Sequence, residues 1–121
     1  MVIGARGEAV AADYLNGLGW DVVDRNWRWN QLGELDLVAR EPLPDGQSVL
    51  VFCEVKTRTG LGFGRPLEAI TRDKLRRLHR LALAWLTAHE ERATRLRLDG
   101  IGVLLRPGEA PVIDHVRGAV L

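Results

Sequence analysis

At 121 residues, with 46% hydrophobic residues, 27% charged residues and a net charge of +1, the chain has the size and composition of one globular domain, which excludes a disordered, fibrous or collagen-like protein. The lone Cys53 excludes a disulfide framework and a cysteine-rich zinc site. No run approaches the roughly 20 apolar residues that span a bilayer, and the opening MVIGARGEAVAADYL lacks the cationic and apolar segments of a secretory signal, so a cytoplasmic protein without a membrane partner is expected.

Residues 4–18 read as a helix: Ala5, Glu8, Ala12 and Leu15 share one face, and Gly17 and Gly19 end it. Residues 20–24 read as a short strand, and Trp27 and Trp29 alternate with polar neighbours as a second extended piece. Residues 34–40 alternate with period two, and residues 42–47, PLPDGQ, form a turn. Residues 48–56, SVLVFCEVK, are the strongest strand. The unbroken apolar run from Val49 to Cys53 predicts a central strand covered on both faces. A glycine-rich loop, residues 60–66, leads into a long helix from Pro66 or Thr71 to His89, with Leu75, Leu78, Ala82 and Trp85 as its apolar stripe. Residues 95–105 and 111–116 read as two closing strands. The order α, three-strand meander, α, β predicts an α/β sandwich with a mixed sheet.

Charge is unevenly distributed. Residues 1–54 carry four Arg against nine Asp and Glu, whereas residues 55–97 carry eleven Lys and Arg against four. A basic middle beside an acidic first half points to a polyanion partner, although a solvated helix face would give the same pattern.

The chemistry concentrates in Asp36, Glu54 and Lys56. Side chains at i and i+2 of a strand project to one face, so Glu54 and Lys56 point the same way from the end of an apolar strand. A hairpin turning near Asp45 puts Asp36 nearly opposite Glu54, with Cβ atoms about 4.5–5.5 Å apart. Two partly desolvated carboxylates at that distance repel. A shared proton, the Lys56 ammonium or a divalent cation would each repair the repulsion. Oxygen ligands suit a hard cation such as Mg²⁺, which polarises a phosphodiester, and Lys56 is placed to orient or deprotonate a water or to stabilise phosphorane charge. Glu8, on the inner stripe of the first helix, needs a partner of its own. That partner is either a metal or an Arg. Glu34 is either an assistant at the same site or a solvent-facing partner of an Arg.

An acid, a hairpin and then Glu-x-Lys resemble the PD-(D/E)xK nuclease superfamily, the restriction-endonuclease-like fold. More specifically, Gly4-x-x-Gly7-Glu8, Arg25-Asn26-Trp27-Arg28, Gly33-Glu34-Leu35-Asp36-Leu37-Val38, Val51 to Arg58, Phe63-Gly64-Arg65-Pro66 and Lys74 resemble, in order, the bacterial YraN family of predicted endonucleases, itself similar to archaeal Holliday junction resolvases. The resemblance runs from about Gly4 to Leu86. It implies one nuclease-like domain over residues 1–121, with a restriction-endonuclease-like αβββαβ core: a mixed sheet flanked by helices. It also implies Asp36 and Glu54 as metal-binding carboxylates, Lys56 as the catalytic lysine and Glu8 as the helix glutamate that joins them, acting with Mg²⁺ or Mn²⁺. Leu35 stands where the superfamily's nominal Pro would be. The expected substrate is DNA, structured or branched, and resolvase-like cutting of two strands implies a homodimer.

The basic segment then reads as a phosphate-contacting surface that positions nucleic acid without reading sequence: Arg58, Arg65, Arg72, Lys74, Arg76, Arg77 and Arg80. Cys53 is expected to be a buried small hydrophobe. The four tryptophans are expected in the core or an interface, Trp29 being the least secure of these. His79, His89 and His115 are too scattered for a metal site and are expected at the surface. Two other functions compete with a nuclease: a non-catalytic nucleic-acid-binding module that retains the fold, and an interaction domain that dimerises through the Trp-containing strands.

Overall fold

The computed structural model describes residues 3–60, 71–91 and 95–118. Helix α1 (Ile3–Gly17) leads into a meander of β1 (Asp21–Trp29), β2 (Gly33–Pro42) and β3 (Ser48–Arg58), followed by helix α2 (Arg72–Ala88) and strands β4 (Leu96–Leu104) and β5 (Val112–Val116). The fold is mixed α/β and contains the expected αβββαβ core, closed by both of the strands expected at residues 95–105 and 111–116. The five strands lie in sequence order across one sheet, so β3 is its middle strand. All neighbours are antiparallel except β3 and β4, which are parallel. A parallel pair needs a crossover, and the chain between these two strands includes α2.

Alternation along β3 builds two cores. Val49, Val51, Cys53 and Val55 face α1 and pack with Ala11, Ala12, Leu15, Trp20, Leu37 and Ile101. Leu50 and Phe52 face α2 and pack with Leu35, Val38, Leu75, Leu78, Leu81 and Trp85. Two residues further along the α2 face the series becomes polar, at Glu54 and then Lys56. The apolar run therefore marks a strand covered on both sides, as its composition requires.

The inner side of α1 differs in part from the expected stripe. Ala12 and Leu15 are buried, but Ala5 is exposed and Glu8 is only half-buried, while Gly7 and Ala11 face inward. The two expected extended pieces at residues 20–29 form one strand. Its pairing with β2 shifts register between Val22 and Asp24. At α2, the Thr71 hydroxyl accepts a hydrogen bond from the Lys74 N–H and so caps the helix. Of the glycine-rich loop, residues 61–66, including Arg65, lie outside the described residues.

A second polar network contradicts one expectation. The His115 side chain is not at the surface: it is 5% exposed and donates or accepts at both ring nitrogens, to Asp99 Oδ2 at 2.7 Å and Tyr14 Oη at 2.8 Å. β5 edges the sheet beside β4, and from it His115 reaches Tyr14 of α1 and Asp99 of β4. Asp99 is fully buried and also accepts from Arg97 Nε at 2.8 Å and the Gly118 N–H at 3.1 Å. Burial by itself raises the Asp99 pKa, but the hydrogen bonds from His115, Arg97 and Gly118 outweigh it and hold the carboxyl below its usual range. Arg97 in turn reaches Glu41 at 2.7 Å and lies over the Trp20 ring.

A carboxylate with a depressed folded-state pKa stabilises the fold above its unfolded value and loses that stabilisation as pH falls. Stability is therefore expected to decline as pH drops below about 4. Asp99→Ala, which leaves His115 and the Gly118 N–H without their acceptor while Arg97 keeps Glu41, is expected to cost about 1–3 kcal/mol at neutral pH, measured by urea denaturation.

Candidate active site

The β2–β3 hairpin has the register its turn predicts. Leu43 N–H donates to Gln47 O, Gln47 N–H donates to Asp45 Oδ1, and Gly46 takes a left-handed φ of +83°. Leu37 then pairs with Cys53 and Val38 with Phe52. One step on, at Asp36, the ladder gives way to a side chain: Asp36 Oδ2 accepts the Val55 N–H at 2.7 Å. Asp36 is thereby fixed beside Glu54, as that register demands.

A local reversal of alternation makes this possible. Leu35 belongs to the α2-side core and Leu37 to the α1-side core, although residues two apart in a regular strand share a face. The slip falls at Asp36. Opposite it, between the pairs Arg25–Leu37 and Trp27–Leu35, stands Asn26 with φ +52°. That left-handed conformation is costly for most residues and tolerated by Asn. Asp24, which accepts from the Trp85 indole, and Trp27 accordingly both face α2 although they are three residues apart.

Three carboxylates converge at the slip. Glu8, Glu34 and Asp36 each offer an oxygen, all within 4.8 Å of one another. The Asn26 amide donates to both Glu8 and Glu34. Glu34 also pairs with Arg28 at 3.3 Å, so it faces the acids and an Arg together. Glu8 takes Asn26 rather than an Arg as its partner. Its helix comes close because Gly7 has no side chain: a Cβ there would collide with Thr57 on β3. Asn26, Gly7 and Thr57 lie in segments that carry the family resemblance, but the sequence assigns them no role. A lone Asn in an Arg-Asn-Trp-Arg run carries no spacing signal until the strand pairing is known.

Glu54 borders the same cluster on the cationic side. It is buried, with Lys56 Nζ at 3.8 Å and Arg77 Nη2 at 3.9 Å from its Oε1. Lys74 approaches Lys56 across the α2–β3 boundary. The hydrogen bond with Lys56, some burial and the Lys56 charge lower the Lys74 pKa, while Glu54 opposes the shift. The other expected cations separate from this group. Arg72, Arg76 and Arg80 recur every four residues on the exposed side of α2, with Arg76 paired to Asp73 at 3.2 Å. Arg58, at the end of β3, turns to the Thr57 carbonyl.

The donor set fits a hard divalent cation. Burial raises the Asp36 carboxyl to about 7, and the charges of Glu54, Glu8 and Glu34 add to the rise, against the lowering effect of the Val55 N–H. Without a cation this group keeps a proton that an ordinary carboxyl would lose. Oxygen donors gathered so closely match the ligand preference of Mg²⁺ or Mn²⁺. Cys53, one residue before Glu54, points into the α1-side core, and its thiol is raised by burial.

A folded-state pKa above the unfolded value of 3.8 means that the Asp36 contribution to stability is greatest at low pH and is lost as pH rises towards 7. Asp36→Asn keeps the acceptor for Val55 and removes the charge. In chelator it is expected to raise the melting temperature by about 5 °C at pH 8, with the gain vanishing by about pH 4, measured by thermal scans across pH.

Residues 7–103 match the family described as "Uncharacterised protein family UPF0102". A UPF0102 protein of Beutenbergia cavernae is 52% identical over 116 residues, covering 96% of this chain and 93% of the relative. One of Nocardia farcinica is 49% identical over 115 residues, covering 95% of this chain and 86% of the relative. The matched stretch takes in Glu8, Asn26, Glu34, Asp36, Glu54, Lys56, Lys74 and Arg77, and the chain belongs to the UPF0102 family.

Proposed function

We propose that this protein is a metal-dependent endonuclease that hydrolyses phosphodiester bonds in DNA, with structured or branched DNA as its substrate. One observation carries the proposal: the end of the central strand brings the acids Glu8, Glu34 and Asp36 against the Glu54–Lys56 pair. The resemblance of this series of residues to PD-(D/E)xK nucleases supports the same reading. No described helix is long and apolar enough to cross a membrane, and the two cations Lys74 and Arg77 stand where a phosphate would approach.

Asp36, Glu54 and Glu8 would hold the cation, with Glu34 beside them. Mg²⁺ or Mn²⁺ supplies Lewis-acid polarisation of the phosphate ester when bound. The raised pKa of Asp36 means that loading expels a proton, so metal affinity rises with pH through about 7. Lys56, on the face it shares with Glu54, would orient the attacking water or accept its proton. Arg77 and Lys74 offset the charge that grows on the non-bridging phosphate oxygens. Arg72, Arg76 and Arg80 form a separate exposed row that positions the backbone of the substrate without sequence readout.

Purified protein incubated with four-way junction, flap and linear DNA in Mg²⁺ or Mn²⁺ is expected to cleave a branched substrate and to be silent in chelator. Glu54→Ala and Lys56→Ala are expected to lose at least about 100-fold in rate. Cleavage unchanged in Glu54→Ala would remove the assignment. Binding without cleavage under every metal would favour the non-catalytic module instead. Asn26→Gly, which suits the left-handed backbone but releases Glu8 and Glu34, is expected to weaken Mn²⁺ binding about tenfold, followed by calorimetric titration.

A further inference from the structure

Five aromatic rings run from the core to the surface beside the candidate site. Phe52 meets Trp85 edge-on at 5.7 Å, and Trp85 stacks on His89 at 4.2 Å. His89 tilts against Trp27 at 5.8 Å, and Trp27 stacks on Trp29 at 5.3 Å with an interplanar angle of 18°. The series is anchored at its inner end, where Phe52 is fully buried and the Trp85 indole donates to Asp24 at 2.8 Å. At its outer end Trp29 is 39% exposed. An indole on an edge strand held flat by a second indole is a rigid, partly exposed surface.

Two arginines stand near it at the β1–β2 strand pair. Arg28 is the preceding residue, with a side chain 69% exposed and paired to Glu34 at 3.3 Å. Across the ladder Trp29 pairs with Gly33, and Arg77 lies against the bare Gly33 backbone, where a Cβ would stand 3.5 Å from Arg77 Cδ. Arg77 then extends to Glu54. Trp29 is thus joined through Arg77 to the Glu54–Lys56 end of the acid cluster.

We propose that Trp29 is a stacking platform for an unpaired nucleobase next to the phosphate engaged by Lys56, Lys74 and Arg77. The inference rests on the nucleic-acid reading above and deepens it by naming what the site selects. A nucleotide offers a π-face for the indole and a phosphate for Arg77, whose contact with Glu54 is long at 3.9 Å, whereas an apolar segment of a protein offers only the first. Bases inside a duplex are already stacked and have no open face to offer. Bases at a flap, a gap or a junction do, so the platform favours strands with unpaired nucleotides.

The test is fluorescence anisotropy of the full chain in EDTA with labelled oligo(dT), oligo(rU) and a long blunt duplex. Trp29→Ala is expected to weaken single-strand binding roughly tenfold and to change duplex binding by less than about twofold. Trp29→Phe is expected to retain most of the affinity, while Trp29→Leu, which keeps apolar bulk without a π-face, behaves like Trp29→Ala. The ratio of Trp29-dependent affinities for oligo(dT) and oligo(rU) assigns the nucleic acid. Equal losses on single strand and duplex, no loss on either, or a change of sedimentation state with binding intact would overturn the platform. No cleavage is read, so an inactive protein leaves this inference standing. An indifferent Trp29→Ala likewise leaves a nuclease dependent on Glu54 standing.

Discussion

Everything about the candidate site depends on one hydrogen bond in which a side chain takes the place of backbone. The Val55 N–H would continue the β2–β3 ladder, but it is given to the Asp36 carboxylate at 2.7 Å instead. Through that bond the Val55 N–H favours the charged form of Asp36, against burial and the repulsion of its acidic neighbours. Burial first, and then the charges of Glu54, Glu8 and Glu34, push the Asp36 carboxyl up to about 7. A group of acids held together against their own repulsion is unfavourable for stability alone, and such perturbed groups cluster at functional sites.

Two strand irregularities oppose one another to produce this arrangement. Asn26 takes a left-handed turn, and alternation in β2 slips at Asp36 beside it. Each alone would misalign a strand pair. Together they keep the pairing on both sides and rotate only the residues between. The Asn26 amide then occupies the space between Glu8 and Glu34. The same residue sets the backbone and separates two like charges.

Much of this could be read from the chain before any coordinates. The Val49–Cys53 run identified the middle strand because continuous apolarity requires cover on both faces, and the centre of the PLPDGQ turn set the register that brings Asp36 to Glu54. Other features lay beyond such patterns. The 20–29 segment looked broken because Asn26 reverses its alternation, and periodicity assumes that alternation persists. His115 looked superficial because nothing near it in sequence announces Asp99 or Tyr14, which lie 16 and 101 residues away. Glu8 was placed by helical spacing on an inner stripe, but the closest approach of α1 to the sheet is at Gly7, and only the missing side chain there reveals it.

The parallel joint between β3 and β4 orders events during synthesis. Residues 3–58 contain α1 and the whole meander, so their contacts are near in sequence and close early. On the far side of the sheet, Val38, Leu50 and Phe52 wait for α2, which arrives later. Until then an apolar surface and the open margin of the middle strand face water together, the combination that invites association between nascent chains. The acids gather on the ribosome's first instalment and the cations Lys74 and Arg77 follow with the second, so closure of the helix over the sheet also brings Arg77 to Glu54.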